Sequence, residues 1–180
     1  MQSKAELRAD LLKARRARPG NAAAAFANAV FGLLAPTDQA IALYNATKLE
    51  PPTNDLIKKI AKDRNVFLPI VSGDDLLWVK NPKEFALGAF NILEPQGPAA
   101  PINNFPEISV LVIPAFAVSH SGIRLGKGGG FYDRLLSKLE TQVKKIVLVF
   151  DNEIFEEIPH EPHDQKVDFI VSEKRVLPTV

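Results

Sequence analysis

The chain has 180 residues, enough for one domain with a substantial core, and its 46% hydrophobic and 24% charged content is that of a globular protein rather than a disordered one. Its 22 Lys and Arg against 21 Asp and Glu leave a formal charge of +1, which gives no large non-specific attraction to nucleic acid. With no cysteine, disulfides, thiolate metal sites and a cysteine nucleophile are excluded, a composition compatible with a reducing cytoplasm.

The N-terminal run MQSKAELRADLLKARRAR alternates charges with leucines and lacks the apolar core of a secretory signal. Ser3 followed by Glu6 fits a capping box, and Leu7 and Leu11 recur one turn apart, predicting a helix over residues 4–18 that Pro19-Gly20 ends. Lys4, Arg8 and Arg15 fall near one face of it. That face is either solvated, or Lys4 and Arg8 meet an anion. Residues 21–34 are alanine-rich, with Phe26 and Val30 on a stripe, and predict a second helix.

Short apolar runs follow. Residues 41–44 read as a strand, 53–63 as a helix introduced by Pro51-Pro52, and 66–71 and 76–79 as strands joined by a Gly-Asp turn. Residues 94–106, with four prolines, read as a long loop. The most apolar strand candidate is 110–114, followed by a loop, a helix over 131–139, and strands at 145–150 and 167–171. Runs such as VLVIP and KIVLVF show no polar alternation, as expected of strands covered on both faces. The expected fold is a single α/β domain, a mostly parallel β-sheet flanked by helices on both faces. The apolar runs are too short to cross a bilayer.

The informative stretch is IRLGKGGGFYDR, residues 123–134, between the strand at 110–114 and a helix. Glycines let the backbone take positive φ and approach a ligand closely, and a helix start offers free N–H groups to an anion. Arg124, Lys127 and Arg134 add positive charge there, which favours phosphate or carboxylate over a merely flexible loop. Two common nucleotide motifs fail. A Walker A loop would need Gly at Ser121 and Ser or Thr at Gly128, and a dinucleotide fingerprint would need Gly at Phe131. Asp133 is either a first-turn anion or a carboxylate placed to hold Mg²⁺ beside a polyphosphate.

These residues resemble a known family. The run SGIRLGKGGGFYDR is similar to the signature of the 5-formyltetrahydrofolate cyclo-ligases, or methenyltetrahydrofolate synthetases. The resemblance extends over nearly the whole chain: KAELR near the N-terminus, Glu50-Pro-Pro-Thr53, Asn91-Ile-Leu-Glu94-Pro95, and Pro159-His-Glu-Pro-His163-Asp164 followed by Val167-Asp168. The implied fold is the cyclo-ligase fold, related to sugar-phosphate isomerase and CoA-transferase domains. The implied reaction converts 5-formyltetrahydrofolate and ATP, with Mg²⁺, into 5,10-methenyltetrahydrofolate, ADP and phosphate in a cytoplasmic monomer.

The resemblance also implies roles. Lys4, Arg8, Arg124, Gly126, Lys127, Gly128, Gly129, Gly130, Phe131, Tyr132 and Arg134 would hold ATP, with His163 beside the nucleotide. Lys127 and Arg124 would contact the moving phosphoryl group. Asp133 and Asp168 would be the magnesium-associated carboxylates. Glu50 would contact the folate, and Trp78 would lie near the pterin. One departure is visible: the family usually has two tyrosines before the aspartate, and this chain has Phe131-Tyr132. Packing of the first ring is the expected role, since a buried hydroxyl would need a partner.

Other readings of the same residues are an ATP-binding paralogue acting on another formylated or pterin-like substrate, and a non-catalytic anion-binding module. His160, His163, Glu161 and Asp164 lack an HExxH pattern, and Ser119-His120 lacks a nucleophile elbow.

Overall fold

Helix α1 (Lys4–Arg16) begins where the sequence places it in the computed structural model, which describes residues 2–18, 22–88, 93–140, 142–162 and 164–180. Ser3 Oγ accepts the Glu6 amide and the Glu6 carboxylate accepts the Ser3 amide, so two otherwise orphaned donors are satisfied. The Pro19-Gly20 stop lies outside the described residues. Helix α2 (Ala23–Leu33) buries Phe26, Ala27 and Val30. Strand β1 (Ala40–Leu43), helix α3 (Asn54–Ile60), and the hairpin of β2 (Asn65–Ser72) and β3 (Asp75–Lys80) follow.

Strands β4 (Glu84–Leu87) and β5 (Leu93–Gln96) form a separate two-stranded ribbon, and β6 (Ala99–Ala100) extends the edge of the main sheet. Strands β7 (Val110–Pro114), β8 (Ala117–Ser119) and β9 (Arg124–Leu125) lead into helix α4 (Phe131–Ser137). The chain closes with β10 (Lys144–Leu148), β11 (Ile154–Phe155), β12 (Phe169–Val171) and β13 (Val176–Pro178).

The main sheet has the order β13-β12-β10-β7-β1-β2-β3-β6. Its five central strands are parallel, while β13, β3 and β6 at the edges are antiparallel. Along the parallel strands the order reverses between β1 and β7. The loops leaving their carboxyl ends therefore diverge to opposite sides, which opens a crevice where ligands bind in such sheets.

Both faces of this sheet are buried, which is why the central strands show no alternation. One face carries Phe26, Val30, Leu56 and Ile60 from α2 and α3 against Ile41, Leu43, Val110 and Ile146. The other carries Leu135 and Leu136 from α4 against Ala42, Leu111, Val147 and Ile170. A smaller cluster seats Leu7 and Leu11 of α1 on Ala117, Leu125 and Ile158. Among the described residues no helix is long and apolar enough to cross a membrane.

The expected loop over 94–106 is instead β5, β6 and a 3-10 turn (Ile102–Asn104). Its prolines are tolerated because Pro95 sits in a ribbon that pairs on one side only. The short strands β8, β9 and β11 form a small sheet of their own.

Candidate active site

The loop after β1 is tied down by its own side chains. Tyr44 donates its hydroxyl to the Pro51 carbonyl at 2.6 Å, and Thr53 donates to the Tyr44 carbonyl at 2.9 Å. This fixes Glu50, whose side chain is 5% exposed. Its Oε2 accepts the amide and the hydroxyl of Thr47, each at 2.7 Å, and its Oε1 meets Lys127 Nζ at 2.7 Å. Beside it opens a cleft of about 340 Å³, whose walls include Arg15, Arg18, Asn45, Thr47 and Phe150 as well as Glu50. Glu50 thus belongs to the cleft and to the contact with the glycine segment.

That segment leaves the β8–β9 hairpin and turns into α4. Gly128 has φ 102° and Gly130 φ 69°, so both adopt the left-handed conformation that other residues take only under strain. Among the described residues, the amides of 126–132 donate to no protein acceptor. Arg8 Nε donates to the Gly126 carbonyl at 2.8 Å and its guanidinium lies along Gly128, so α1 touches the loop directly. Gly129 lies against the Phe131 ring, and Arg134 lies along Gly130 and donates to the Asp74 carbonyl at 2.9 and 2.6 Å.

Beneath the loop, Arg124 is buried and meets Asp133 at 2.7 Å. Its Nε has no partner among the described residues. Burial pulls the Arg124 pKa below its ordinary value, opposed by Asp133, Tyr132 and Asp164. Tyr132 is held neutral: burial, then the Glu50 charge, push its pKa far up, against a weaker pull from Arg124. Phe131 packs on the core with the Arg134 guanidinium 5.1 Å from its ring centroid, in keeping with the packing role expected of it.

At the amino end of α1, Lys4 Nζ lies 2.8 Å from Asp164 and 3.7 Å from Glu161. Lys4, Arg8, Glu50, Arg124, Gly126, Lys127, Gly128, Gly129, Gly130, Phe131, Tyr132, Asp133 and Arg134 therefore surround one end of the sheet. His163 lies outside the described residues.

Two expected residues are elsewhere. Asp168 precedes β12 at the amino end of the parallel strands, where its carboxylate accepts the Lys145 amide at 2.7 Å and lies 3.5 Å from Lys145 Nζ. The chain from Asp164 is held extended there by the pairing of Lys166 with Ile123 and of the Val167 amide with Gly122. Asp164 is therefore the carboxylate of this segment that reaches Lys4 beside the turn, whereas Asp168 pairs with Lys145. Trp78 is fully buried in the core and its indole N–H has no partner among the described residues, so its ring packs rather than faces the cleft. Sequence reasoning also missed Thr47, whose place three residues before Glu50 was its one local signal.

Among the described residues no group of three or more His, Asp or Glu side chains gathers as a metal cage. The arrangement instead offers a glycine turn ringed by cations, a fixed carboxylate and a cleft sharing that carboxylate. Such a set can hold a polyphosphate and bring its end to a second molecule.

The chain is similar to known proteins over nearly its full length. It is 33% identical over 185 residues to 5-formyltetrahydrofolate cyclo-ligase of Mycolicibacterium smegmatis, covering 97% of this chain and 95% of that one. Its structure matches that of 5,10-methenyltetrahydrofolate synthetase from Aquifex aeolicus with a TM-score of 0.80 at 29% identity, covering 97% of this chain and 92% of the other. A synthetase from Mycoplasma pneumoniae shares the fold with a TM-score of 0.74 at 21% identity, over 96% and 99% of the two chains. Residues 1–173 match the model of the 5-formyltetrahydrofolate cyclo-ligase family, and the chain belongs to that family.

Proposed function

We propose that this chain converts 5-formyltetrahydrofolate and ATP into 5,10-methenyltetrahydrofolate, ADP and phosphate. The observation that carries this reading is the 2.7 Å contact of Lys127 with Glu50, which joins the glycine turn to the cleft beside β1. ATP lies with its phosphates on the turn, among Lys4, Arg8, Arg124 and Arg134, and the folate lies in the cleft with Glu50 accepting from its pterin.

A formyl oxygen on nitrogen is a poor leaving group. Transfer of the γ-phosphoryl group to that oxygen, with loss of ADP, turns it into phosphate. N10 then attacks the formyl carbon and gives up its proton to solvent, the carbon–oxygen bond breaks, and phosphate departs. The protein has two tasks: to align the formyl oxygen with the γ-phosphorus, and to neutralise charge on the moving group. Lys127, half-exposed and held at the boundary of the two sites, is the cation placed to follow that group. Arg124 supplies fixed positive charge from beneath the turn, and Tyr132 closes the floor.

Mg²⁺ bound with ATP would neutralise phosphate oxygens. Asp133, beside Arg124, and Asp164, beside Lys4, would be the oxygen donors to hold it, since this ion takes few protein carboxylates beside phosphate. The cysteine-free composition suits the cytoplasm.

The test is absorbance of the methenyl product after mixing protein, Mg-ATP and 5-formyltetrahydrofolate. Product formed only with both substrates is expected. ATP binding without product would leave a paralogue with another substrate, and no ATP binding would refute the enzyme reading.

A further inference from the structure

Lys4, Arg8 and Arg15 share a face of α1, yet Arg15 is remote from the glycine turn. Its guanidinium is buried, with 2% of the side chain exposed, and it meets an equally buried Glu153 through two parallel bonds of 2.7 Å. It also donates to the Ala115 carbonyl at 2.6 Å, and the Phe116 ring lies 4.7 Å away. Glu153 is fixed in turn by the Phe150 amide at 2.8 Å. Ala115 follows directly on β7 and Glu153 lies just beyond β10, so Arg15 pins α1 across the carboxyl ends of two central strands.

A buried ion pair is a weak source of stability, because the cost of removing both charges from water consumes most of the attraction between them. What such a pair does set is geometry: two parallel bonds from a planar guanidinium allow one distance and one rotation. The leucines that seat α1 fix neither so narrowly. Arg8 stands seven residues, and Lys4 eleven, before Arg15, or about 10 and 16 Å along the helix. A shift of α1 along its axis at Arg15 is passed rigidly to both.

We propose that the Arg15–Glu153 pair is a positioning device for the nucleotide: it fixes the axial setting and rotation of α1, so that Lys4 and Arg8 face the glycine turn. Glu153 stands clear of the cleft beside Glu50, whereas Arg15 forms part of its wall. The inference rests on the assignment of Lys4 and Arg8 to ATP, and it predicts a defect that falls mainly on the nucleotide side of the reaction.

Two variants test it. Arg15→Lys keeps the charge and loses the two parallel bonds. Arg15→Met combined with Glu153→Gln removes both charges while leaving an acceptor for the Phe150 amide. For each, the melting temperature, kcat and the KM for each substrate are measured. The expected result is a KM for ATP raised about tenfold or more by helix misplacement, with a smaller rise in the KM for 5-formyltetrahydrofolate, because Arg15 also walls the cleft. The double variant should keep this defect even where its melting temperature matches the parent's. A KM for ATP unchanged in either folded variant, or equal rises in both KM values, would overturn the proposal. Calorimetric titration of ATP into parent and variants reads the same effect without turnover. Failure of the functional assignment, an inactive parent, is thereby separated from failure of this inference.

Discussion

Replacing Lys127 with alanine separates catalysis from stability. The Lys127 side chain is 46% exposed, and its ion pair with Glu50 is one of several contacts holding that carboxylate. Removing a half-exposed partner costs about 1 kcal/mol, and Glu50 keeps its two bonds from Thr47. In a domain of this size that is a fall in melting temperature of about 2–4 °C. The same ammonium, acting on a phosphoryl group as it moves, is worth far more, because charge there is met by a group already in place. Loss of one such donor lowers kcat by roughly a hundredfold to a thousandfold, or about 2.7–4 kcal/mol. The assay pairs methenyl absorbance at saturating substrates with a thermal melt of the same preparation. A variant with parent-like kcat, or one whose activity falls only in step with its melting temperature, would refute the assigned role.

Asp133→Asn and Asp164→Asn should each raise the magnesium concentration needed for half-maximal rate, whereas Asp168→Asn should leave that titration unchanged; the reverse pattern would restore Asp168 to the site. Glu50→Gln should raise the KM for the folate by about tenfold through loss of a charged acceptor, with the KM for ATP nearly unchanged in steady-state kinetics. Phe131→Tyr should alter both KM values by less than about twofold, since the ring packs on the core and a phenol there gains no charged contact. Burial raises the Asp38 carboxyl, but bonds from the Ala35 amide, Lys144 and Ser109 outweigh it and leave the pKa below the usual value. A depressed folded pKa means stability present at neutral pH and lost as pH falls below about 4, so Asp38→Asn should lower the melting temperature at pH 7 and the gap should close in acid.

What could be read from the chain was whatever depends on near neighbours. The Ser3–Glu6 cap, the unalternating strands and the glycine segment each carry their cause within a few residues. So the sheet buried on both faces was legible, and so was the glycine turn that leads into α4. Strands β8, β9 and β11 were not, because each is short and exists only by pairing with the others. The prolines of 94–106 argued for a loop, yet Pro95 stands in a two-stranded ribbon and only the other three lie outside the strands.

The aspartates show the limit most clearly. Asp164 and Asp168 stand four residues apart in one motif, and the motif does not say which end lies at the ligand. The pairing of Lys166 with Ile123 decides it by laying the segment along the sheet, with Asp164 toward Lys4 and Asp168 at Lys145. Trp78 was similarly ambiguous: its strand was recognised, but which side of the ring faces the core depends on packing against distant helices.

The meeting of the two substrates across Lys127 and Glu50 has one direct consequence for atoms. If the γ-phosphoryl group is carried to the formyl oxygen, 5-formyltetrahydrofolate labelled with oxygen-18 in its formyl group must yield inorganic phosphate bearing that label. Mass spectrometry of the released phosphate should find one labelled oxygen for each methenyl product formed. Unlabelled phosphate, with the heavy oxygen recovered in water, would contradict phosphoryl transfer to the substrate.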